Sequence, residues 1–180
     1  MRNPQIRFTY SDYLLLPEGD RRELIEGDFY VAPSPIFRHQ NISRNLGVII
    51  WKFVNDRKLG QVIWAPMDVI LDDENVVQPD ILFVSNERSN IIEDYIFGAP
   101  DLVIEILSPS TADRDKQLKL SLYARYGVRE YWIIDPEQNT IQVIELETGG
   151  QNATRTYTSG SASSALLTGL DVPLDEVFAK

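Results

Sequence analysis

Residues 101–107 read Asp101-Leu102-Val103-Ile104-Glu105-Ile106-Leu107. Pro100 stands before this run and Ser108-Pro109-Ser110-Thr111 after it, so it has strand length with breakers at both ends. Alternation puts Val103, Glu105 and Leu107 on one side and Leu102, Ile104 and Ile106 on the other. Both faces are apolar, which predicts a buried strand and makes Glu105 its anomaly. A carboxylate buried without compensation costs several kcal/mol. A cation, a lysine or arginine, a proton or a water-filled cleft must offset it. Two readings stay open from this stretch alone: a buried salt bridge, or a working carboxylate.

Asp80 repeats the pattern. It follows Pro79 and leads into Ile81-Leu82-Phe83-Val84. A strand-edge aspartate can be a turn residue only. Two such carboxylates on neighbouring strands would instead make a hard-oxygen site suited to Mg²⁺ or Mn²⁺. Downstream, Asp115, Lys119 and Tyr123 recur every fourth residue and share one face of a predicted helix over 112–126, closed by Gly127. Lys119 lies between Leu118 and Leu120, at the border of a core, where its ammonium could reach the strand carboxylates. Lys116 is its competitor, and a solvated lysine is the plain alternative for either. Glu26, beside a predicted Gly27-Asp28 hairpin turn, is a candidate third acid. His39 opens a predicted helix over 36–56, whose stripe is Ile42, Leu46, Ile49, Ile50 and Phe53. It could contact phosphate or assist proton transfer, or be structural.

The remaining elements follow the same logic. A short helix is expected after Thr9 and Ser11, and strands over 61–71, 76–84, 130–134, 140–146 and 154–158. A helical turn fits within 85–100, the Ser/Gly-rich 159–164 reads as a loop, and 166–177 as an ordered closing segment. Helices interspersed with hairpin-connected strands imply α+β or mixed α/β, a mixed sheet flanked by helices. We expect one domain over 1–180.

Composition narrows the functions. The 180 residues carry 27 acids against 17 basic residues, a formal charge of −10, which repels DNA, RNA and anionic membranes on average. A nucleic-acid role would need a local basic patch or bound cations. There is no cysteine and one histidine, which excludes disulfides, thiolate zinc sites, cysteine nucleophiles and multi-histidine metal sites within one chain. No apolar run approaches the roughly 18 residues of a membrane span, so the expected location is the cytoplasm. Phosphate-binding glycine loops and the Gly-x-Ser-x-Gly elbow are absent from the sequence.

The ordered motifs carry a resemblance. They are Glu23-Leu24-Ile25-Glu26-Gly27, Ser34-Pro35 with His39, Gln78-Pro79-Asp80, and the run from Pro100 to Ser110. Asp115, Lys119 and Tyr123 follow, then Gly127-Val128-Arg129-Glu130-Tyr131-Trp132 and Asp135-Pro136. From about Tyr10 to Leu146 the chain resembles the Uma2 family of restriction-endonuclease-like proteins, abundant in cyanobacteria. The resemblance implies a PD-(D/E)xK nuclease-like core and a Mg²⁺- or Mn²⁺-dependent endonuclease cutting phosphodiester bonds, with DNA the expected substrate. On that likeness Asp80 and Glu105 hold the metal, with the Ile106 carbonyl as a third ligand. The lysine usual two residues after the glutamate is replaced by Leu107. Lys119 matches the family's relocated lysine, Glu26 an early acidic residue, and His39 a family histidine. A catalytically silent binding or assembly protein on the same core is the alternative, and a hydrolase of small phosphoesters a third reading. A homodimer is expected, with Tyr131 and Trp132 as candidate contacts.

Overall fold

The computed structural model describes residues 6–17, 19–31, 34–108, 112–146 and 153–180, with side chains omitted for 112–116. The expectations for the Asp115 and Lys116 side chains therefore lie outside what is described. In chain order the elements are α1 (Tyr10–Tyr13), β1 (Arg22–Ile25), β2 (Asp28–Val31) and α2 (Phe37–Arg57). There follow β3 (Gly60–Trp64), β4 (Val69–Asp72), β5 (Asn75–Val77), β6 (Ile81–Ser85), a 3-10 turn (Asn86–Ile91), β7 (Ile96–Phe97) and β8 (Leu102–Ile106). The chain closes with α3 (Ala112–Tyr126), β9 (Glu130–Asp135), β10 (Thr140–Glu145), β11 (Ala153–Tyr157), β12 (Ser161–Ser163), β13 (Asp171–Pro173) and α4 (Leu174–Val177).

Six strands form the central sheet in the order β11-β10-β9-β8-β6-β3, and five form a second sheet, β2-β1-β5-β4-β7. β8 and β9 run parallel while the other central pairs are antiparallel, so the sheet is mixed as expected. The parallel pair is possible because α3 carries the chain back across the sheet.

The central sheet is covered on both faces. On one, Ile42, Leu46, Ile50 and Phe53 of α2 pack with Ile81, Phe83, Ile104, Ile106 and Trp132. On the other, Leu122 and Tyr123 of α3 join Leu82, Val84, Val103, Tyr131 and Ile133. Ile25, Val69, Val77 and Ile96 of the second sheet close this same core. The alternation of β8 therefore sends Glu105 to the α3 side, where the two sheets meet.

Several expectations are corrected. The long strands over 61–71 and 76–84 each split in two, at Pro66 and Pro79, because proline has no N–H for the ladder. Ser161–Ser163 forms a strand with β13 rather than a loop. The hairpin turn is Glu26-Gly27, not Gly27-Asp28. Both residues have positive φ, 52° and 77°, and Ile25 pairs with Asp28, as a primed two-residue turn requires. Tyr131 and Trp132 are buried at 1% and 0% exposure, so they pack inside the chain and present no surface to a second copy.

One buried acid is purely architectural. Glu130, 1% exposed, accepts hydrogen bonds from Trp132 Nε1 (2.8 Å), Ser164 Oγ (2.6 Å), and the backbone N–H of Ala165 (2.8 Å) and Leu166 (3.2 Å). Among the described residues its donors are all neutral, and they tie the closing segment to the central sheet.

Candidate active site

Lys119 lies on the inner face of α3, one turn before Tyr123, and is 8% exposed. Its Nζ donates to Glu105 Oε1 and to Glu23 Oε1, both at 2.9 Å. Tyr123 OH donates to the same Glu105 oxygen at 2.7 Å, and the Gln78 backbone N–H donates to Glu23 Oε1 at 2.9 Å. One ammonium thus bridges a carboxylate from each sheet. Beside this pair, Asp80 Oδ2 accepts the Ile106 backbone N–H at 2.7 Å, which locks the start of β6 to the end of β8. His39, in the first turn of α2, brings Nε2 to 3.3 Å from the same Asp80 oxygen.

Asp80, Glu105, Ile106, Lys119 and His39 thus converge from four separate elements or their flanks, and all line one cleft. Glu26 does not join them. It sits at the tip of the hairpin, half exposed, and pairs with Arg125 at 3.1 Å on the surface. Glu23 takes the position expected for it. With the turn at Glu26-Gly27, the alternation of β1 aims Glu23 and Ile25 inward while Glu26 leaves the strand.

The electrostatics follow from two buried carboxylates sharing one buried ammonium. Burial pushes Glu105 up, Lys119 pulls it down, Glu23 and Asp80 push it up again, and the result is about 7 instead of 4.5. Burial opposes the charge on Lys119, but Glu105 and Glu23 hold its pKa well above the usual lysine value, so it stays cationic. Burial and the nearby carboxylates raise Tyr123 far above the ordinary tyrosine value, so its hydroxyl remains a donor. Burial pulls His39 down, yet Asp80, the Ile106 main chain and Glu105 outweigh it and leave its pKa raised.

A pH dependence of stability follows. Between 4.5 and about 7 the native state binds the Glu105 proton more tightly than the unfolded chain does. The contribution of this group is therefore fully present below 4.5, falls as pH rises through about 7, and is flat beyond. The groups facing it are Lys119, Tyr123, Glu23, Asp80, His39 and Tyr131, so the effect is read as a difference. Melting curves in EDTA of wild type and Glu105→Gln should diverge across this window. Parallel curves would show that Glu105 titrates like a solvated acid.

The cleft above these groups has a volume of about 1530 Å³. α2 forms one wall, and Trp64, the last residue of β3, leans on it at Gly47. A Cβ at Gly47 would collide with the Trp64 indole. Gly47→Ala gains about 1 kcal/mol of helix propensity but loses about 1–3 kcal/mol to overpacking. A net loss of about 1 kcal/mol is expected, with a red shift of tryptophan fluorescence as Trp64 swings toward water. An unshifted spectrum would show that the indole does not rest on Gly47.

Comparison with known proteins agrees with this architecture. The family model Uma2, described as "Putative restriction endonuclease", matches residues 10–175. The chain belongs to the Uma2 family. An uncharacterized protein of Synechocystis sp. is 25% identical to this Uma2 chain over 132 residues, covering 71% of it and 74% of the relative. A crystal structure from Anabaena variabilis, described as a "putative nuclease belonging to DUF820", superposes with a TM-score of 0.81 at 23% identity. The match covers 96% of this chain and 98% of that one. The Uma2 chain thus shares that protein's fold.

Restriction-endonuclease-like proteins generally use a divalent metal. Among the described residues no group of three or more His, Cys, Asp and Glu side chains could hold an ion. The Lys119 ammonium lies between Glu23 and Glu105, where a cation shared by those two carboxylates would otherwise sit. What the site does offer is Asp80, Glu105 and main-chain oxygen at Ile106. These are hard oxygen donors lining the cleft, of the kind divalent cations take, and too few for a full protein cage.

Glu23 was the residue that sequence reasoning passed over as a site member. Its local signal was weak: β1 reads Arg22-Glu23-Leu24-Ile25, where a glutamate beside an arginine breaks no burial rule as Glu105 does in β8.

Proposed function

We propose that this Uma2 chain is a metal-dependent nuclease that hydrolyses phosphodiester bonds in the cytoplasm, with DNA as its substrate. The supporting observation is the convergence of Asp80, Glu105 and the buried, cationic Lys119 on the floor of one open cleft. Asp80 and Glu105, with the Ile106 carbonyl, would hold Mg²⁺ or Mn²⁺. Such an ion polarises a phosphoryl oxygen and lowers the pKa of bound water.

The chain's own groups supply the rest. Lys119 keeps its proton, so it orients Glu105 and offers fixed positive charge where negative charge develops on phosphorus. Glu23 and the Tyr123 hydroxyl fix the ammonium and carboxylate against each other, acting as positioning residues. His39, charged beside Asp80 over a raised pH range, can contact a phosphate oxygen or hold a proton for the leaving oxygen. Glu26 has no part in this reading.

A second reading has its own support. The charge of −10 and the short donor set suit a silent binding or assembly protein on the same core. Incubation of purified DNA with the protein in Mg²⁺ and in EDTA separates the two. Cleavage in Mg²⁺ alone is expected. Intact DNA at high protein concentration, with every divalent ion tried, would leave the binding protein.

A further inference from the structure

The cleft walls differ from its floor. We propose that the cleft selects single-stranded over duplex nucleic acid, its bases stacking on Trp64 and Tyr95 and its phosphates guided by Arg38 and Arg44. This deepens the nuclease reading and rests on it.

Four observations carry it. First, the reacting groups are recessed: the Asp80, Glu105 and Lys119 side chains are only 19%, 12% and 10% exposed. A stiff duplex keeps its phosphates on the outside of a broad rod, whereas a single strand can bend a phosphate down to such a floor. Second, the volume of about 1530 Å³ exceeds the roughly 300–1,000 Å³ of small-molecule sites, so it holds more than one nucleotide unit.

Third, the walls are apolar and aromatic. Trp64 is partly exposed on its Gly47 seat, Tyr95 is 43% exposed, and Ile36 and Val48 line the same cleft at 65% and 52%. Unpaired bases offer stacking faces to such walls, and each stacked base contributes about 1–3 kcal/mol; a duplex hides those faces. Fourth, the charge balance excludes dense polyanions. Cleft carboxylates such as Asp94, Asp135 and Glu137 outnumber the rim arginines Arg21, Arg38 and Arg44. Arg38 donates to the Pro136 carbonyl and Asn139 Oδ1, and Arg44 to the amide oxygens of Asn41 and Asn45. Neither forms an ion pair among the described residues, so both keep full charge for a phosphate. Two such cations suit the sparse phosphates of one strand better than the charge of about one per 1.7 Å on a duplex.

The test is fluorescence anisotropy with a fluorescein-labelled oligodeoxynucleotide of about 12 residues, free or annealed to its complement. The full chain is titrated in Ca²⁺, a hard cation that takes the same oxygen donors. The single strand should bind about tenfold or more tighter than the duplex. Trp64→Ala and Tyr95→Ala should each weaken strand binding about fivefold or more, and Trp64→Phe should restore most of it. Tyr95 lies at the surface, so its variant keeps the test sound if Trp64→Ala unfolds. Equal or tighter duplex binding overturns the inference and leaves hydrolysis standing. Strand binding unmoved by both alanine variants also overturns it. So does absence of DNA binding alongside turnover of bis(p-nitrophenyl) phosphate, which would mark a hydrolase of small diesters. Strand binding that depends on Trp64 and Tyr95 without cleavage in Mg²⁺ supports the inference and removes the nuclease reading alone.

Discussion

Lys119→Met is expected to lower the unfolding free energy by about 3–5 kcal/mol, the usual cost of removing one partner from a buried ion pair. Methionine keeps the length and apolar stem of the side chain, so the loss comes from charge and hydrogen bonding. Glu23 and Glu105 would then face each other with, among the described residues, the Gln78 N–H and the Tyr123 hydroxyl as their donors. Glu105 is already pushed up to about 7 and loses the ammonium that pulls it down, so its carboxyl takes up a proton at neutral pH. Urea unfolding at neutral pH measures the effect as a shifted midpoint with unchanged slope. A second substitution, Glu23→Gln, should recover part of the loss, because it removes the repulsion that the first one exposes. A loss below about 1 kcal/mol for Lys119→Met would place this lysine among solvated surface pairs and remove it from the site.

The second large effect concerns chemistry rather than stability. Asp80→Asn should reduce Mg²⁺-dependent cleavage by about 10³-fold, in line with the loss of a central electrostatic group. The fold should tolerate it, since the asparagine Oδ1 can still accept the Ile106 N–H that Asp80 now holds at 2.7 Å. Glu105→Gln should match it, because glutamine keeps an acceptor for Lys119 and Tyr123 but loses the charge. Calorimetric titration with Mg²⁺ gives a readout independent of turnover, and both variants should lose the binding heat. Wild-type cleavage rates in either variant would disprove the metal-nuclease proposal, whatever happens to stability.

These sites were unevenly legible in the sequence. Glu105 stood out because a carboxylate inside Leu-Val-Ile-Glu-Ile-Leu violates the burial rule locally, with no need for a partner to be known. Helical spacing placed Lys119 on one face with Tyr123 but left Lys116 as its competitor, while α2 followed from its apolar stripe, both short-range patterns. Glu23 was hidden by a single residue of turn register: Gly27-Asp28 and Glu26-Gly27 are equally good turns on paper. Only the pairing of Leu24 with Phe29 and Val76 decides which glutamate faces inward. The partition of the strands into two sheets depends on contacts across half the chain, and these no local window contains. Tyr131 and Trp132 misled for a related reason, since an aromatic pair in a strand fits an interface and an interior equally well.

Glu130 has a consequence for biosynthesis. Its carboxylate cannot be sheltered until Ser164, Ala165 and Leu166 have left the ribosome. Before then β9, the middle of the central sheet, carries a charge with too few donors and must stay wet. A chain truncated before Ser164 would leave the Glu130 carboxylate with only the Trp132 Nε1–H of its four donors among the described residues.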